Sequence, residues 1–366
     1  MIIQNGLVFE ESGSFVKRDL YIDADHKIAA AAPEDEHERI DAEGLYVLPG
    51  LVDVHIHGAV GSDFCDGSKE GLCSIAAYLK ANGITSFCPT SMTLPLEELK
   101  QIFSSILQVP AERNYASVAG IHMEGPFIAP AKKGAQKASH IIAPNVDAFH
   151  ALQASCDNRI RLITLAPEEE GSMEFIRAVH EEVSISLGHS QADYETASQA
   201  YAAGANHVTH LYNAMMPLHH RDPGIIGAAA DAPHVFAEII CDGIHIHPSA
   251  IRAAFRLFGA ERMVLISDAM RATGMEDGCY DLGGQEVIKN GNRATLADGT
   301  LAGSVTNLFS CMKNAVSFGI PLYDAVRAAT LNPARSIGAH TIGSLAVGKE
   351  ADVLLVDKEL NLVRVL

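Results

Sequence analysis

No run of apolar residues in this chain is long enough to cross a bilayer, which argues against a membrane span. The opening MIIQNGLVFEESGSF lacks the basic start and cleavage site of a secretory signal, so a cytoplasmic protein is expected. Cysteine is sparse and scattered. There are seven, an odd number, with no CxxC pair, which speaks against a disulfide framework or a cysteine zinc site. Positive charge is also short: 27 Lys and Arg stand against 45 Asp and Glu, a net charge of −18. Nucleic acid and anionic membranes are disfavoured as partners, because both need a basic face. A small anionic substrate is compatible, since one local Arg and a few backbone N–H groups suffice to hold it. Fixed-period repeats and low-complexity segments are missing as well.

What is present is 48% apolar residues over 366 positions. That supports one large domain, or one large and one small. Residues 1–48 read as short strands (IIQNGLVF, DLYIDADHKIAAAA, GLYVLPG) separated by Gly, Asp and Pro turn signals. The closing stretch GSLAVGKEADVLLVDKELNLVRVL reads the same way. The expected organisation is a small β domain from 1–48 plus 340–366, around a catalytic unit over 49–339.

The middle alternates short β-rich runs with helical patterns. The runs are LVDVHIH, GITSFCPT, SVAGIHMEG, IRLITLAPE, VSISLGHS, HVTHLYN, VFAEIICDGIH and MVLISDA. Segments such as EGLCSIAAYLKANG and DYETASQAYAAGA between them place apolar residues at helical spacing. Strand–helix alternation predicts a parallel sheet. About eight such units in roughly 250 residues predict a (β/α)8 barrel of the α/β class.

The 17 histidines acquire a pattern at the C-terminal ends of these strands. The first run ends in His55 and His57, the third in His122 and Glu124, the fifth in His189. The sixth carries His210, the seventh His245 and His247, the eighth Asp268. Active sites of such barrels lie at this end. His55 and His57 share one strand face, and imidazoles converging with carboxylates suit a divalent metal. A lone His-x-His is weak, and a single strand-end Asp is often a turn residue or helix cap. Co-occurrence of His-x-His, Glu, His, His and Asp at five strand ends, in this order, is what favours a metal centre.

The order HxH, Glu, His, His, Asp resembles the amidohydrolase superfamily, as do PGLVDVHIHG near the start and GSLAVGKEADVLLVD near the end. GIHMEGPFIAPAKKGA, SLGHSQADYE, THLYNAMMPLHHRDPG, CDGIHIHP, LISDAM and TLAGS are similar to its N-acetylglucosamine-6-phosphate deacetylase family, over nearly the whole chain. The resemblance implies a metal-dependent hydrolase barrel with a small β-sandwich domain. It implies that His55, His57, Glu124, His189 and His210 hold one or two divalent ions, of Zn, Fe, Mn, Co or Ni. It further implies deacetylation by metal-activated water, with Asp268 as general base and then general acid.

Substrate contacts implied in the same way are Ala135 and Gln136 after KKG, then Asn213, Ala214, Arg221 and His245 for the phosphate. The TLAGS loop adds Leu301, Ala302, Gly303 and Ser304. The family commonly has a histidine where this chain has Gln136, which leaves the galactosamine epimer open as substrate. His122 and His247 are expected either to support the ligands from behind or to be structural, and His219 and His220 to be loop residues. A homodimer with a cross-subunit phosphate contact is implied. Alternatives are another metal-dependent amidohydrolase acting on a non-phosphorylated amide, and a scaffold that has lost its metals.

Overall fold

The computed structural model describes residues 1–32, 38–110 and 112–366. Eight parallel strands follow one another around the barrel: Leu51–Ile56, Ile84–Ser91, Ile121–Glu124, Ile160–Leu165, Ser184–Leu187, His207–Val208, Phe236–Ile240 and Met263–Ile266. These correspond to the eight apolar runs of the sequence, in the same order. The third is preceded by a separate piece, Ser117–Val118, which pairs with the second strand at Ser86 and Phe87. Every residue of the first and second strands is buried. Parallel strands covered on both faces are written as near-continuous apolar runs, which is why they were readable.

Closure between the eighth and first strands is slight. It rests on a parallel bridge of Ile56 to Ala269 and on donation from the Asp268 N–H to the His55 carbonyl at 2.9 Å. The buried Asp53 side chain contributes by accepting from the Ser267 N–H at 3.2 Å.

Helices cover the barrel, among them Lys69–Ala81, Val146–Ser155, Tyr194–Ala202, Pro248–Phe258 and Leu308–Ser317. Their starts are fixed by side-chain caps. Ser68, Asn145, Asp193 and Asn307 each accept an N–H of the first turn, a contact worth about 1 kcal/mol. His247 caps Pro248–Phe258 by accepting from the Ser249 N–H, so this histidine is structural, as expected. Among the described residues no helix is long and apolar enough to cross a membrane.

The two chain ends meet in a seven-stranded sheet that joins Ile2–Glu10, Ser14–Ile22, Ile28–Ala29, Arg39–Asp41 and Tyr46–Pro49 to Val353–Val356 and Leu362–Val365. It has its own core of Ile3, Val8, Leu20, Ile22, Val47, Val353 and Leu355. Tyr46–Pro49 runs antiparallel to Val353–Val356 and leads directly into the first barrel strand. One element was not anticipated from the sequence. A three-stranded antiparallel sheet, Gly278–Leu282, Gln285–Asn290 and Arg293–Thr295, is inserted after the eighth strand. Leu282, Val287 and Ala294 pack it against Met92, Met270 and Ala302.

Candidate active site

The strand ends converge. Glu124 is the hub: its Oε1 lies 3.0 Å from both His189 Nε2 and His210 Nε2 and 3.5 Å from His55 Nε2. Its Oε2 lies 3.4 Å from His57 Nε2. Asp268 Oδ1 completes the other side, 3.4 Å from His57 Nε2 and 3.6 Å from His55 Nε2. Two sets of three result, Glu124–His189–His210 and His55–His57–Asp268, each with ligand atoms close enough to share an ion.

The hydrogen bonds on the far side of each ring test whether a cation fits. His189 Nδ1 is 2.9 Å from the Lys132 carbonyl, and His57 Nδ1 is 3.1 Å from the Thr90 carbonyl. A carbonyl only accepts, so each Nδ1 carries the hydrogen and a neutral ring presents a bare Nε2. His55 Nδ1 is likewise directed at Glu238 Oε2, 3.0 Å away. Bare nitrogens of His55, His57 and His189 therefore face carboxylate oxygens, and His210 Nε2, whose Nδ1 has no partner to fix its hydrogen, lies 3.0 Å from His189 Nε2. Lone pair against lone pair is repulsive unless a cation or additional protons lie between. The donor set of imidazoles and carboxylates fits a divalent ion.

The electrostatics agree. Burial pulls the His55 imidazole down, but Glu124, Glu238 and Asp268 outweigh it and raise its pKa to about 9. His57 is also raised well above 6.5, as Asp268 and Glu124 overcome its burial. Burial alone would raise the two carboxyls. Instead the histidines hold Glu124 well below 4.5 and Asp268 at about 2. The acids are ionised, and the positive charge they demand is what a metal supplies in place of ring protons.

Three of these residues have left-handed backbone: His189 (φ 47°), His210 (φ 27°) and Asp268 (φ 48°). Such conformations cost of order 1–3 kcal/mol for a non-glycine residue and cluster at functional sites. They turn each side chain out of its strand direction and into the centre.

A cavity of about 380 Å³ opens above. Its wall includes His57, Glu124, Ala135, Gln136, His189, His210, Asn213, Ala214, His245, Asp268, Leu301 and Gly303 of the residues expected from the sequence. His55 lies beneath it, fully buried. Three expected contacts are not on this wall. Ala302 is buried against Met92 and Met270. Ser304 supports Asp268 from behind, its N–H donating to the Asp268 carbonyl at 2.6 Å and its hydroxyl to the Ser267 carbonyl at 2.6 Å. Arg221 is exposed, with Nη1 2.7 Å from His220 Nε2. His219 and His220 are exposed loop residues beside it.

Gln136 is on the wall but is already engaged. Its Oε1 accepts from the Thr93 N–H at 2.7 Å and its Nε2 donates to Glu124 Oε2 at 2.8 Å. One amide hydrogen remains for a ligand. His245 is backed by Asp242, Nδ1 to Oδ2 at 2.6 Å. Burial lowers the His245 pKa, but the bond and charge of Asp242 prevail and raise it. The ring therefore holds its proton to a higher pH than a free imidazole does.

Several contributors escaped the sequence reading. Glu238, in the middle of the seventh strand, is completely buried. Its Oε2 accepts from His55 Nδ1 at 3.0 Å and from the His210 N–H at 3.1 Å. The available signal was a lone carboxylate inside the apolar FAEII, a placement that burial forbids without partners. His122, by contrast singled out from the sequence, has both nitrogens occupied, by the Val54 carbonyl at 3.1 Å and Thr164 Oγ1 at 2.8 Å. From Thr164 the contacts pass to Thr209 and Ser186 at 2.7 and 2.6 Å, a polar layer joining strands three to six. Lys132, Met92, Leu282 and Thr300 also line the cavity.

Comparison with known proteins agrees with this architecture. A model of the amidohydrolase family matches residues 46–365. The N-acetylglucosamine-6-phosphate deacetylase of Bacillus subtilis (strain 168) is 38% identical over 351 residues, 93% of this chain and 89% of that protein. The N-acetylgalactosamine-6-phosphate deacetylase of Escherichia coli O157:H7 is 36% identical over 349 residues, 93% and 91% of the two chains. A mutant N-acetyl-D-glucosamine-6-phosphate deacetylase of Mycobacterium smegmatis, solved in complex with N-acetyl-D-glucosamine 6-phosphate, superposes with a TM-score of 0.91 at 30% identity, covering 100% of this chain and 97% of that one. With a barrel whose strand ends gather two sets of side chains that could hold metal beneath one cavity, the chain belongs to the amidohydrolase family, and within it to the group formed by the N-acetylglucosamine-6-phosphate deacetylases.

Proposed function

We propose that this protein hydrolyses the acetamide of N-acetylglucosamine 6-phosphate, giving glucosamine 6-phosphate and acetate. The observation that carries the proposal is the composition of one cavity. Its floor is the cluster of carboxylates and imidazoles, and its wall holds His245, whose affinity for a proton is raised by Asp242, with Asn213 and Ala214. The first suits amide hydrolysis and the second suits an anion.

His55 and His57, with Asp268, would hold one divalent ion, and Glu124, His189 and His210 a second. A bound ion supplies Lewis-acid polarisation of the amide carbonyl and makes water more acidic. Asp268, held ionised, takes a proton from the attacking water on its carboxylate. It then returns that proton to the sugar nitrogen as the C–N bond breaks, so that the amine leaves neutral. Its position is fixed from behind by the Asp268 N–H on the His55 carbonyl at 2.9 Å and by Ser304. His245, Asn213 and Ala214 bind the phosphate and orient the sugar. Arg221, exposed on its loop, is suited to reach the phosphate of a neighbouring subunit in a homodimer. Zn, Fe, Mn, Co and Ni all suit the ligand set, and we place the enzyme in the cytoplasm.

The galactosamine epimer is a second reading, favoured by the state of Gln136. A side chain tied to both Thr93 and Glu124 discriminates a sugar hydroxyl with a single N–H. Acetate release from N-acetylglucosamine 6-phosphate, N-acetylgalactosamine 6-phosphate and unphosphorylated N-acetylglucosamine, compared side by side on metal-loaded protein, tests both. Preference for the first supports the proposal, and preference for the second selects the epimer. Preference for the third, or release from none, removes the phospho-sugar assignment.

A further inference from the structure

Lys132 stands apart from the other basic residues of this acidic chain. It is the one lysine or arginine among the described residues lining the cavity. No carboxylate of the described residues forms an ion pair with it, in contrast to Lys17, Arg18 or Lys27, and it alone combines this with a place on the cavity wall. The side chain is half-buried, and its Nζ donates to the Met215 carbonyl at 3.2 Å. An ammonium has three hydrogens, so a main-chain carbonyl leaves two undirected.

Its place in the fold is specific. Met215 directly follows Ala214, and the turn carrying Lys132 packs on the same segment. A Cβ built on Gly134 would lie 3.4 Å from His189 Cε1 and 3.9 Å from Ala214 Cβ. The Lys132 carbonyl accepts from His189 Nδ1. The turn is thus clamped between a proposed metal ligand and the Asn213–Ala214 segment. The ammonium is held at the part of the wall where the anion is proposed to sit, with its charge uncompensated.

We propose that Lys132 is a phosphate-binding residue of this cavity, supplying within the same chain a fixed positive charge beside Asn213 and Ala214. The inference rests on the phospho-sugar reading given above. Lysine acts there as a compact point charge, so the arginine variant keeps the charge but not its position. The main-chain bond to His189 does not depend on the side chain, so truncation leaves the metal ligands in place.

The test compares wild type, Lys132→Met and Lys132→Arg on phosphorylated and unphosphorylated N-acetylglucosamine, with inorganic phosphate as competing inhibitor. Lys132→Met should raise KM for the phosphorylated sugar and weaken phosphate inhibition roughly ten- to hundredfold, the weight of a hydrogen bond to a charged group. The kcat on that sugar, kcat/KM on the unphosphorylated sugar, and metal content should stay within about twofold. Lys132→Arg should recover part of the loss. Equal losses on both sugars, lost metal, or unchanged phosphate inhibition would overturn the role of Lys132. A wild type that does not prefer the phosphorylated sugar would instead overturn the substrate assignment on which it rests.

Discussion

Replacing Glu238 tests how far the proposed metal centre depends on a fully buried residue outside the cavity wall. Its Oε2 holds two parts of the centre that come from different strands, the His55 ring and the His210 main chain. Glu238→Ala would leave both N–H groups without an acceptor in a region closed to solvent. Breaking a buried charged pair by removing one partner costs about 3–5 kcal/mol. With an unfolding entropy of about 2.1 cal/mol/K per residue, a chain of this size has roughly 0.8 kcal/mol/K at Tm. The expected drop is therefore about 4–6 °C. Freeing the His55 ring should also cost about 10- to 100-fold in metal affinity. Glu238→Gln keeps an acceptor oxygen and the volume, and should lose about half of each effect. The assay is a melting curve with and without metal, beside metal content after dialysis against a weak chelator. If Glu238→Ala melts and retains metal as the wild type does, the account of how the two half-sites are held together is wrong.

The remaining predictions concern the chemistry. Asp268→Asn should lower kcat by about 10²–10⁴ with little change in KM; a kcat within tenfold of wild type would remove Asp268 as the proton carrier. Arg221→Ala should raise KM for the phosphorylated sugar and leave the unphosphorylated analogue unaffected, and equal effects on both would dissociate it from the phosphate. Asp242→Asn should make KM for the phosphorylated sugar climb at a lower pH than in wild type. Asp242 is what keeps the His245 pKa above its ordinary 6.5, and coincident pH profiles would count against that. The sign for stability follows from the same pair. The part due to His245 is complete below about 6.5 and is lost as pH rises through its raised pKa. The part due to Asp242, whose pKa is lowered, is complete above about 3.8 and is lost as pH falls through it. Chelation of the metal should abolish acetate release and lower Tm, and added divalent ion should restore both.

The sequence was legible where burial and chemistry separate cleanly. Eight strands appear as apolar runs, and the histidines and carboxylates at their ends stand out because the runs before them are mostly apolar. Even the sixth, only His207–Val208 as a strand, was marked by its motif. Glu238 was hidden because it belongs to the interior of such a run, and only tertiary contacts reveal that His55 and the His210 main chain are its partners. The inserted sheet over 278–295 has two polar edges and a thin apolar face, a pattern indistinguishable from a loop until Met92 and Met270 supply its core. Gln136 was visible as a cavity residue, but its engagement with Glu124 depends on a contact between segments that sequence spacing does not report. Arg221 carries phosphate-binding chemistry in its side chain, yet its loop holds it outside the cavity of its own chain.

The slender junction between the eighth and first strands has a consequence for the lifetime of the native state. A closed barrel opens by parting at its weakest joint, and here that joint is a single bridge with a few hydrogen bonds. His55 and His57 stand on one side of it and Asp268 on the other. The ion proposed to be shared by the three would be a fastening across the joint, linking segments separated by most of the catalytic chain. Loss of the ion would then first appear as faster amide exchange along Leu51–Ile56 and Met263–Ile266, ahead of any global melting.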